Sequence, residues 1–219
     1  MNNFLLAVLT LPHSFAGEAE QLEGLLEAGV DRLHLRKPEA TALELEGLVQ
    51  RLAPRWAGRL VVHGSREMAA RYGVGQVHGA VEFSHGRGYS GGGPFVGPPG
   101  TVGGEPGVDP GGAGLAISTS VHSWEELAAL PAGLAYAFIS PLFDSISKRG
   151  YNANAALLQL PEQLLPCRAV GLGGIGAETI GEMLRMGWTG AAVLGWIWET
   201  PGVAVKRFEQ LRKIVDEYN

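Results

Sequence analysis

The loop FISPLFDSISKRG (138–150) carries the side chains in this sequence best suited to holding an anion. Ser145 and Ser147 offer two hydroxyl donors, and Lys148 adds an ammonium group directly beside them. Hydrogen bonds to an ionised oxygen are stronger than neutral ones, so such a group of donors suits phosphate oxygens. The loop therefore predicts a site for a phosphate or a pyrophosphate.

The histidines form a second candidate group, because most of them fall at or just beyond the ends of strand-like segments. They are His13, His34, His63, His78, His85 and His122. Imidazole is a common zinc ligand, and His63, His78 and His122 could form a metal site. Their spacing matches no diagnostic metal motif, so we assign no metal ligands. The alternative is that these side chains cap strand ends or hydrogen-bond to neighbours.

Arg36 ends a short alternating segment, RLHLR. Alternation sets Leu33 and Leu35 on one face of a strand and turns His34 and Arg36 to the other. A cation left unpaired in a partly buried place costs desolvation energy. A structural salt bridge is one solution, and an anionic ligand held in two-point fashion by the guanidinium is the other, which we favour.

Glycines mark a third region, in GLGGIGAET (171–179) and again at Gly195. Gly173 and Gly174 let the backbone approach a ligand closely, and the helix that follows offers free N–H groups. Glycines also serve tight turns between strands and helices. If both segments follow the last two strands of a barrel, they correspond to the usual phosphate cradle of that fold.

The elements that would position these residues alternate along the whole chain. Short apolar strands are each followed by helical patterns in nearly every case, which predicts parallel strands with helices outside. The strand-like segments are 4–10, 32–36, 59–63, 75–79, 114–119, 135–140, 167–172 and 190–195. Eight such units predict a single-domain α/β fold, a (β/α)8 TIM barrel over residues 1–219, with a doubly wound open sheet as the alternative.

A Gly/Pro-rich insert, residues 86–114, replaces the helix expected after strand four. It holds too little apolar surface to offset the entropy of ordering it. It is a linker or, because long loops at a barrel mouth can cover a site, a lid.

Composition limits the partners. The net charge of −5 gives no reason to expect nucleic-acid binding, and no apolar run reaches the length of a membrane span. The single Cys167 fits a reducing compartment, and the first residues lack the pattern of a signal peptide. We expect a cytoplasmic protein with a small-molecule ligand, and a homo-oligomer stays open.

Taken in order, the segments LHLRKP, VHG, STSVHSWEEL, AYAFISPLFDSISKRGY, AVGLGGI and GAAVLGWI resemble the thiamine-phosphate synthase/TenI family. The resemblance runs from strand two through strand eight and leaves out the Gly/Pro-rich insert. It implies a barrel in thiamine biosynthesis that binds a thiazole phosphate. The synthase of that family joins a pyrimidine pyrophosphate to the thiazole phosphate with Mg²⁺, whereas the TenI-type tautomerase moves a proton and needs no cofactor.

This sequence departs from the synthase pattern where that enzyme binds magnesium. The pattern Gln-x-Arg-x-Lys reads His34, Arg36 and Pro38, so only the arginine remains. The Asn-Asp pair after strand three reads His63 and Gly64, and the Asp after strand four falls near Phe83, beside Glu82. Loss of both carboxylates should weaken magnesium binding severely.

The SVHS segment after strand five resembles the TenI-type site instead, with His122 at the proton-shuttle position. Imidazole suits that role because it titrates near neutral pH. A contact at the start of the following helix is the other interpretation, although Ser123 could supply that cap. Our leading hypothesis is therefore a thiazole tautomerase, with a divergent synthase or a non-catalytic thiazole-phosphate-binding protein as alternatives. We predict His122, His34 and Lys148 as catalytic, and as ligand-binding Arg36, His63, Ser145, Ser147, Lys148, Gly173, Gly174 and Gly195.

Overall fold

The computed structural model describes residues 4–79, 114–144 and 154–218. Eight parallel strands close into a barrel in which each pairs with the next and the last pairs with the first. The strands are β1 Leu5–Leu9, β2 Arg32–Leu35, β3 Leu60–His63, β4 Gln76–His78, β5 Ala116–Val121, β6 Tyr136–Ile139, β7 Arg168–Leu172 and β8 Gly190–Val193. The predicted (β/α)8 barrel is confirmed, and the open-sheet alternative is wrong.

Helices follow most strands, as the alternation predicted. They are α1 Glu18–Glu27, α2 Ala42–Trp56, α3 Arg66–Arg71, α4 Trp124–Ala128, α5 Ala155–Leu158, α6 Ile180–Arg185, α7 Gly195–Trp198 and α8 Ala204–Tyr218. Helix α7 could not be predicted, because a single helical turn is too short to show a periodic pattern of apolar residues. In sequence, the helical pattern TALELEGLVQRLA stops at Ala53, and the structure extends α2 beyond it. The helix continues past Pro54 to Trp56, and the N–H of its C-cap residue Ala57 donates a hydrogen bond to the carbonyl of Ala53.

The helices are held by apolar stripes at helical spacing. In α1, Leu22, Leu25 and Leu26 are fully buried, and in α8 the same is true of Phe208 and Leu211. The two helices pack against each other, so the end of the chain covers the barrel beside its beginning. Within the three described ranges, no helix is both long enough and apolar enough to cross a membrane.

The barrel has an outer and an inner core, and strand alternation divides residues between them. Leu33 and Leu35 of β2 belong to the outer core between strands and helices. The inner core is smaller and contains Ala7, Leu9, Tyr136, Phe138, Val170 and Ala192. His34, which lies between the two leucines in sequence, contacts the rings of Tyr136 and Phe138. The predicted alternation of β2 is therefore confirmed.

A capping box fixes the start of α2, and its loss gives a modest stability prediction. Thr41 Oγ1 accepts a hydrogen bond from the Glu44 N–H at 3.2 Å, and the Glu44 carboxylate accepts one from the Thr41 N–H at 2.7 Å. We expect Thr41→Ala to lower the free energy of unfolding by about 1 kcal/mol. Urea unfolding measures this, and Glu44→Gln, which keeps both hydrogen bonds, is the control. Equal stability of Thr41→Ala and wild type would contradict the prediction.

A buried ion pair joins the loop after β2 to the start of α1. Lys37 Nζ bonds to the Glu18 carboxylate and also donates to the carbonyl of His13 at 2.7 Å. The side chains are 0% and 3% exposed, respectively. Burial raises the pKa of Glu18 and lowers the pKa of Lys37, although each partner's charge acts the other way. For both residues, the loss of hydration therefore outweighs the attraction between them.

Candidate functional site

Three neighbouring strands bring His34, His63 and His78 together toward the carboxyl ends of the strands. His63 of β3 is in register with His78 of β4, while His34 lies one residue before the end of β2. The ring centroids of His63 and His78 are 4.4 Å apart, and that of His34 lies 5.2 Å and 5.4 Å from them. His34 and His78 are buried, and His63 is half-buried.

Hydrogen bonds hold this three-histidine cluster, which consists of His34, His63 and His78. His34 Nδ1 lies 3.0 Å from His63 Nε2, and His34 Nε2 lies 2.6 Å from the hydroxyl of Tyr136. The His78 ring lies between two hydroxyls, with Ser118 and Ser120 each 3.0 Å from one of its nitrogens. These contacts fix the ring orientations from strands β5 and β6.

Burial keeps the cluster neutral. It lowers the pKa of His34 and of His63 well below the usual value, and it lowers the pKa of His78 to about 3. Neighbouring positive charge adds to this effect at each ring, from Arg36 in the case of His63 and His78. At neutral pH, the cluster therefore offers uncharged imidazoles that can donate or accept hydrogen bonds.

The depressed pKa values predict acid sensitivity. As pH falls below 6.5, the unfolded chain takes up a proton on His78, whereas the folded protein does so only near pH 3. Stability is therefore lost on acidification, and His78 alone should remove about 2 kcal/mol between pH 7 and 5. Denaturant unfolding in metal-free buffer at several pH values measures this. His78→Asn should make the free energy of unfolding depend less on pH, whereas the control His13→Ala should leave the pH dependence unchanged. A wild-type free energy of unfolding that is constant between pH 7 and 5 would contradict the lowered pKa of His78.

Arg36 lies immediately beyond β2 and is half-buried. Its backbone is held by buried Thr10, whose Oγ1 accepts from the Arg36 N–H at 2.9 Å and donates to the Arg36 carbonyl at 3.0 Å. No carboxylate among the described residues pairs with its guanidinium, in contrast to Lys37. The salt-bridge alternative thus finds no partner in these ranges, and the guanidinium suits an anion near the three-histidine cluster.

His122 follows β5 directly and is exposed. Its Nδ1 lies 3.0 Å from the carbonyl oxygen of Ser140, and its main-chain N–H donates to Glu126 Oε2 at 2.7 Å. Helix α4 is capped by Ser123, whose Oγ accepts from the Glu126 N–H at 3.1 Å. The ring of His122 therefore has no part in that cap, and it contacts the residue that ends the β6 region.

The turn after β7 lies against the loop after β6. Gly173 and Gly174 have φ of 100° and 63°, values that favour glycine. A Cβ on Gly174 would meet the carbonyl oxygen of Asp144 at 2.4 Å, and the Phe143 N–H donates to the Gly173 carbonyl at 3.1 Å. The backbone conformation and the close packing therefore explain these glycines without a ligand. The same packing brings the first half of the loop 138–150 beside the turn. Gly195 lies one strand further on, at the start of α7.

Several predicted residues lie outside the described ranges. They are Ser145, Ser147 and Lys148 of the opening loop, Glu82, Phe83 and His85, and residues 86–113 of the insert. The predictions for them stay predictions, as do the predicted roles of all the site residues.

From the sequence, His78 was considered only in a possible metal set with His63 and His122, and not as a catalytic or ligand-binding residue; the structure groups it with His34 and His63 instead. Tyr136, Ser118 and Ser120 were not predicted, although they orient the histidine rings. Alternation in β6 could have placed Tyr136 on the same inner face as Phe138. The contact between Tyr136 and His34 could not be found that way, since it depends on how far the barrel interior brings opposite strands together.

The comparisons with known proteins find similarity in structure alone. No protein-family model matches the chain, and no curated protein matches it. The solved structure of thiamine phosphate pyrophosphorylase from Pyrococcus furiosus matches with a TM-score of 0.68 and 23% identity, covering 99% of this chain and 98% of that one. Thiamine phosphate pyrophosphorylase from Bacteroides thetaiotaomicron matches with a TM-score of 0.66 and 23% identity, over 96% of this chain and 97% of that one.

The chain therefore has a thiamine phosphate pyrophosphorylase-like fold over nearly its whole length, which confirms at the level of the fold the resemblance carried by its motifs. The fold does not by itself choose a reaction. A solved 3-hexulose-6-phosphate synthase also matches, with a TM-score of 0.56 and 14% identity, over 94% of this chain and 98% of that one. The choice of reaction must come from the site.

Proposed function

We propose that this barrel acts in thiamine biosynthesis as a thiazole tautomerase, binding a thiazole phosphate at the carboxyl ends of the strands. In this proposal, His122 is the proton shuttle. The observation that carries it is the geometry of the His122 ring, which is exposed while its Nδ1 faces the carbonyl oxygen of Ser140.

That contact determines which ring nitrogen is available for chemistry. A carbonyl oxygen can only accept a hydrogen bond, so His122 Nδ1 carries the proton that is donated to Ser140. Nε2 then keeps its lone pair and can take a proton from one position of a bound substrate and return it to another. A fixed tautomer with one free nitrogen is what a general base requires.

In this proposal, the anionic end of the substrate is held by groups that follow the carboxyl ends of the strands. Arg36 supplies a half-buried cation without an acidic partner in the described ranges, next to uncharged imidazoles. The turn at Gly173 and Gly174 packs beside the loop that continues to Ser145 and Lys148 in the sequence. A site with anion-binding groups at one side and the His122 ring at the other would suit a phosphorylated heterocycle.

The role of Arg36 gives a direct binding test. We expect Arg36→Gln to weaken the affinity for thiazole phosphate about 10- to 100-fold, because a hydrogen bond to a charged group contributes roughly 1.5–3 kcal/mol. Calorimetric titration with the thiazole phosphate measures the change. Arg55→Gln is the matched control, since Arg55 is exposed and pairs with Glu27 on the outside of the barrel. Unchanged affinity in Arg36→Gln would remove this residue from the site.

A divergent synthase is the second candidate, and the names of the similar solved structures favour it. That reaction needs a divalent cation to stabilise the departing pyrophosphate. The residues that follow β3 and β4 are Gly64 and Gly79, neither of which carries a carboxylate. In the described ranges, the one cluster with metal-binding geometry consists of three histidines, which do not suit Mg²⁺. Among the residues that the structure describes, those at the carboxyl ends of β3 and β4 therefore do not fit magnesium.

A binding protein without catalysis is the third candidate. It would keep the anion site around Arg36 and lack productive chemistry at His122. For such a binding protein, we expect thiazole phosphate to raise the melting temperature while neither the tautomerase nor the synthase reaction is catalysed. Assays of both reactions beside the melting curve separate it from the two enzymes.

A further inference from the structure

The three-histidine cluster has the separations that a metal site needs. One ring nitrogen from each of His34, His63 and His78 lies within 4.8 Å of the others. Zinc bound tetrahedrally at about 2.0–2.1 Å holds its nitrogen ligands about 3.3 Å apart, with ring centroids roughly 5 Å apart. The observed centroid separations of 4.4, 5.2 and 5.4 Å are close to that value. The spacing of the three rings is therefore compatible with three nitrogens that bind one ion.

We propose that His34, His63 and His78 form a binding site for a divalent transition-metal ion, with zinc as the best match. Imidazole nitrogens suit zinc, copper, nickel and cobalt, whereas magnesium and calcium prefer oxygen ligands. Three protein ligands leave one tetrahedral position for water or for an oxygen of a bound anion. The proposal goes beyond the tautomerase and does not depend on it.

The groups around the cluster already resemble the outer shell of a metal site. A metal-bound histidine usually hydrogen-bonds through its other ring nitrogen, which fixes its orientation. His34 Nε2 is held by the hydroxyl of Tyr136 at 2.6 Å, so Nδ1 is the nitrogen directed at His63. Ser118 lies 3.0 Å from His78 Nδ1, which leaves Nε2 to exchange its contact with Ser120 for a metal bond.

Access and charge are also compatible with an ion. His63 is half-buried, so the cluster is not sealed inside the barrel. The positive charge of Arg36, which acts on His63 and His78, opposes a cation. An anion on the open metal position and on Arg36 together would offset that repulsion. His63 and His78 already belonged to the possible metal set considered from the sequence, but the structure places His34 beside them in place of His122. The three ligands come from three strands and form no local motif, so the sequence could not define the set.

The test uses the purified, untagged full chain and cobalt as a spectroscopic substitute for zinc. Tetrahedral Co²⁺ absorbs visible light far more strongly than the octahedral ion on a protein surface. We expect one equivalent of tetrahedral Co²⁺ in the wild type, displaced by Zn²⁺. The His13→Ala control, which removes an exposed histidine outside the cluster, should behave the same way.

Two kinds of variant keep the proposal falsifiable. His63→Ala removes a half-buried ligand, and His78→Asn removes a buried one; both should lose the tetrahedral spectrum. Tyr136→Phe keeps all three ligands and should weaken Zn²⁺ affinity about 10- to 100-fold through the freed His34 ring. The proposal is overturned if the wild type shows no tetrahedral Co²⁺, or if His63→Ala and His78→Asn bind as the wild type does. In either case the cluster is a hydrogen-bonded polar core only.

Discussion

Replacing His122 with alanine is expected to lower the kcat of thiazole tautomerisation about 100- to 10,000-fold, the usual contribution of a positioned general acid–base group. The loss should appear in kcat more than in KM, because the ring moves a proton and does not hold the phosphate. The fold should survive, since His122 is exposed and Ser123 caps α4 without it. The measurement is steady-state turnover of the thiazole substrate with purified variant and wild type.

His13→Ala is the matched control for this experiment. His13 is also an exposed histidine near the end of a strand, but its ring faces Glu39 at 3.8 Å. Its removal should leave turnover unchanged. Full tautomerase activity in His122→Ala would remove the proton-shuttle assignment, whatever the affinity for thiazole phosphate.

The second large effect concerns stability and the buried pair of Lys37 and Glu18. We expect Lys37→Met to lower the free energy of unfolding by about 3–5 kcal/mol, because it leaves a buried carboxylate without its counter-charge. Both side chains are almost completely shielded from solvent, so screening by water offers little relief. Chemical denaturation at neutral pH measures the loss.

The same variant should have a characteristic pH dependence. Burial already raises the pKa of Glu18 above its ordinary value of 4.5, and loss of Lys37 should raise it further. A raised carboxyl pKa contributes stability below pH 4.5 that is lost as the pH rises. The deficit of Lys37→Met relative to wild type should therefore be smallest in acid and grow toward neutral pH.

A double replacement separates the ion pair from simple packing. Glu18→Leu combined with Lys37→Met removes both charges and keeps apolar volume, so it should recover most of the stability lost in the single variant. The prediction is contradicted if Lys37→Met is as stable as wild type. If the single variant is destabilised and the double variant is no more stable than it, the unpaired buried charge is not the cause of the loss.

The barrel was predictable because its signals are local. Alternation in β2 assigned Leu33 and Leu35 to the helix side and His34 to the interior, and the structure agrees. Eight strand signals separated by helical patterns then left a closed parallel barrel as the simplest arrangement. The single turn of α7 could not be found, because four residues carry no helical period.

The site was only partly predictable, because its contacts join distant parts of the chain. His34 and Tyr136 are 102 positions apart, and their 2.6 Å contact depends on the width of the barrel interior. The alternation of side chains along a strand indicates which face of the sheet a side chain occupies, but not which other side chain it contacts. The ion pair between Lys37 and Glu18 could not be predicted either, because Lys37 lies in the loop after β2 and Glu18 lies on helix α1.

The most direct test of the proposed function is to assay the tautomerase and the synthase reactions on the wild-type chain side by side, with and without magnesium. We expect tautomerisation of the thiazole carboxylate phosphate at the same rate in both conditions, with no pyrophosphate released from the pyrimidine substrate. Magnesium-dependent pyrophosphate release without tautomerisation would contradict it and establish the synthase. Turnover of neither substrate, with thermal stabilisation by thiazole phosphate, would contradict it in favour of a binding protein.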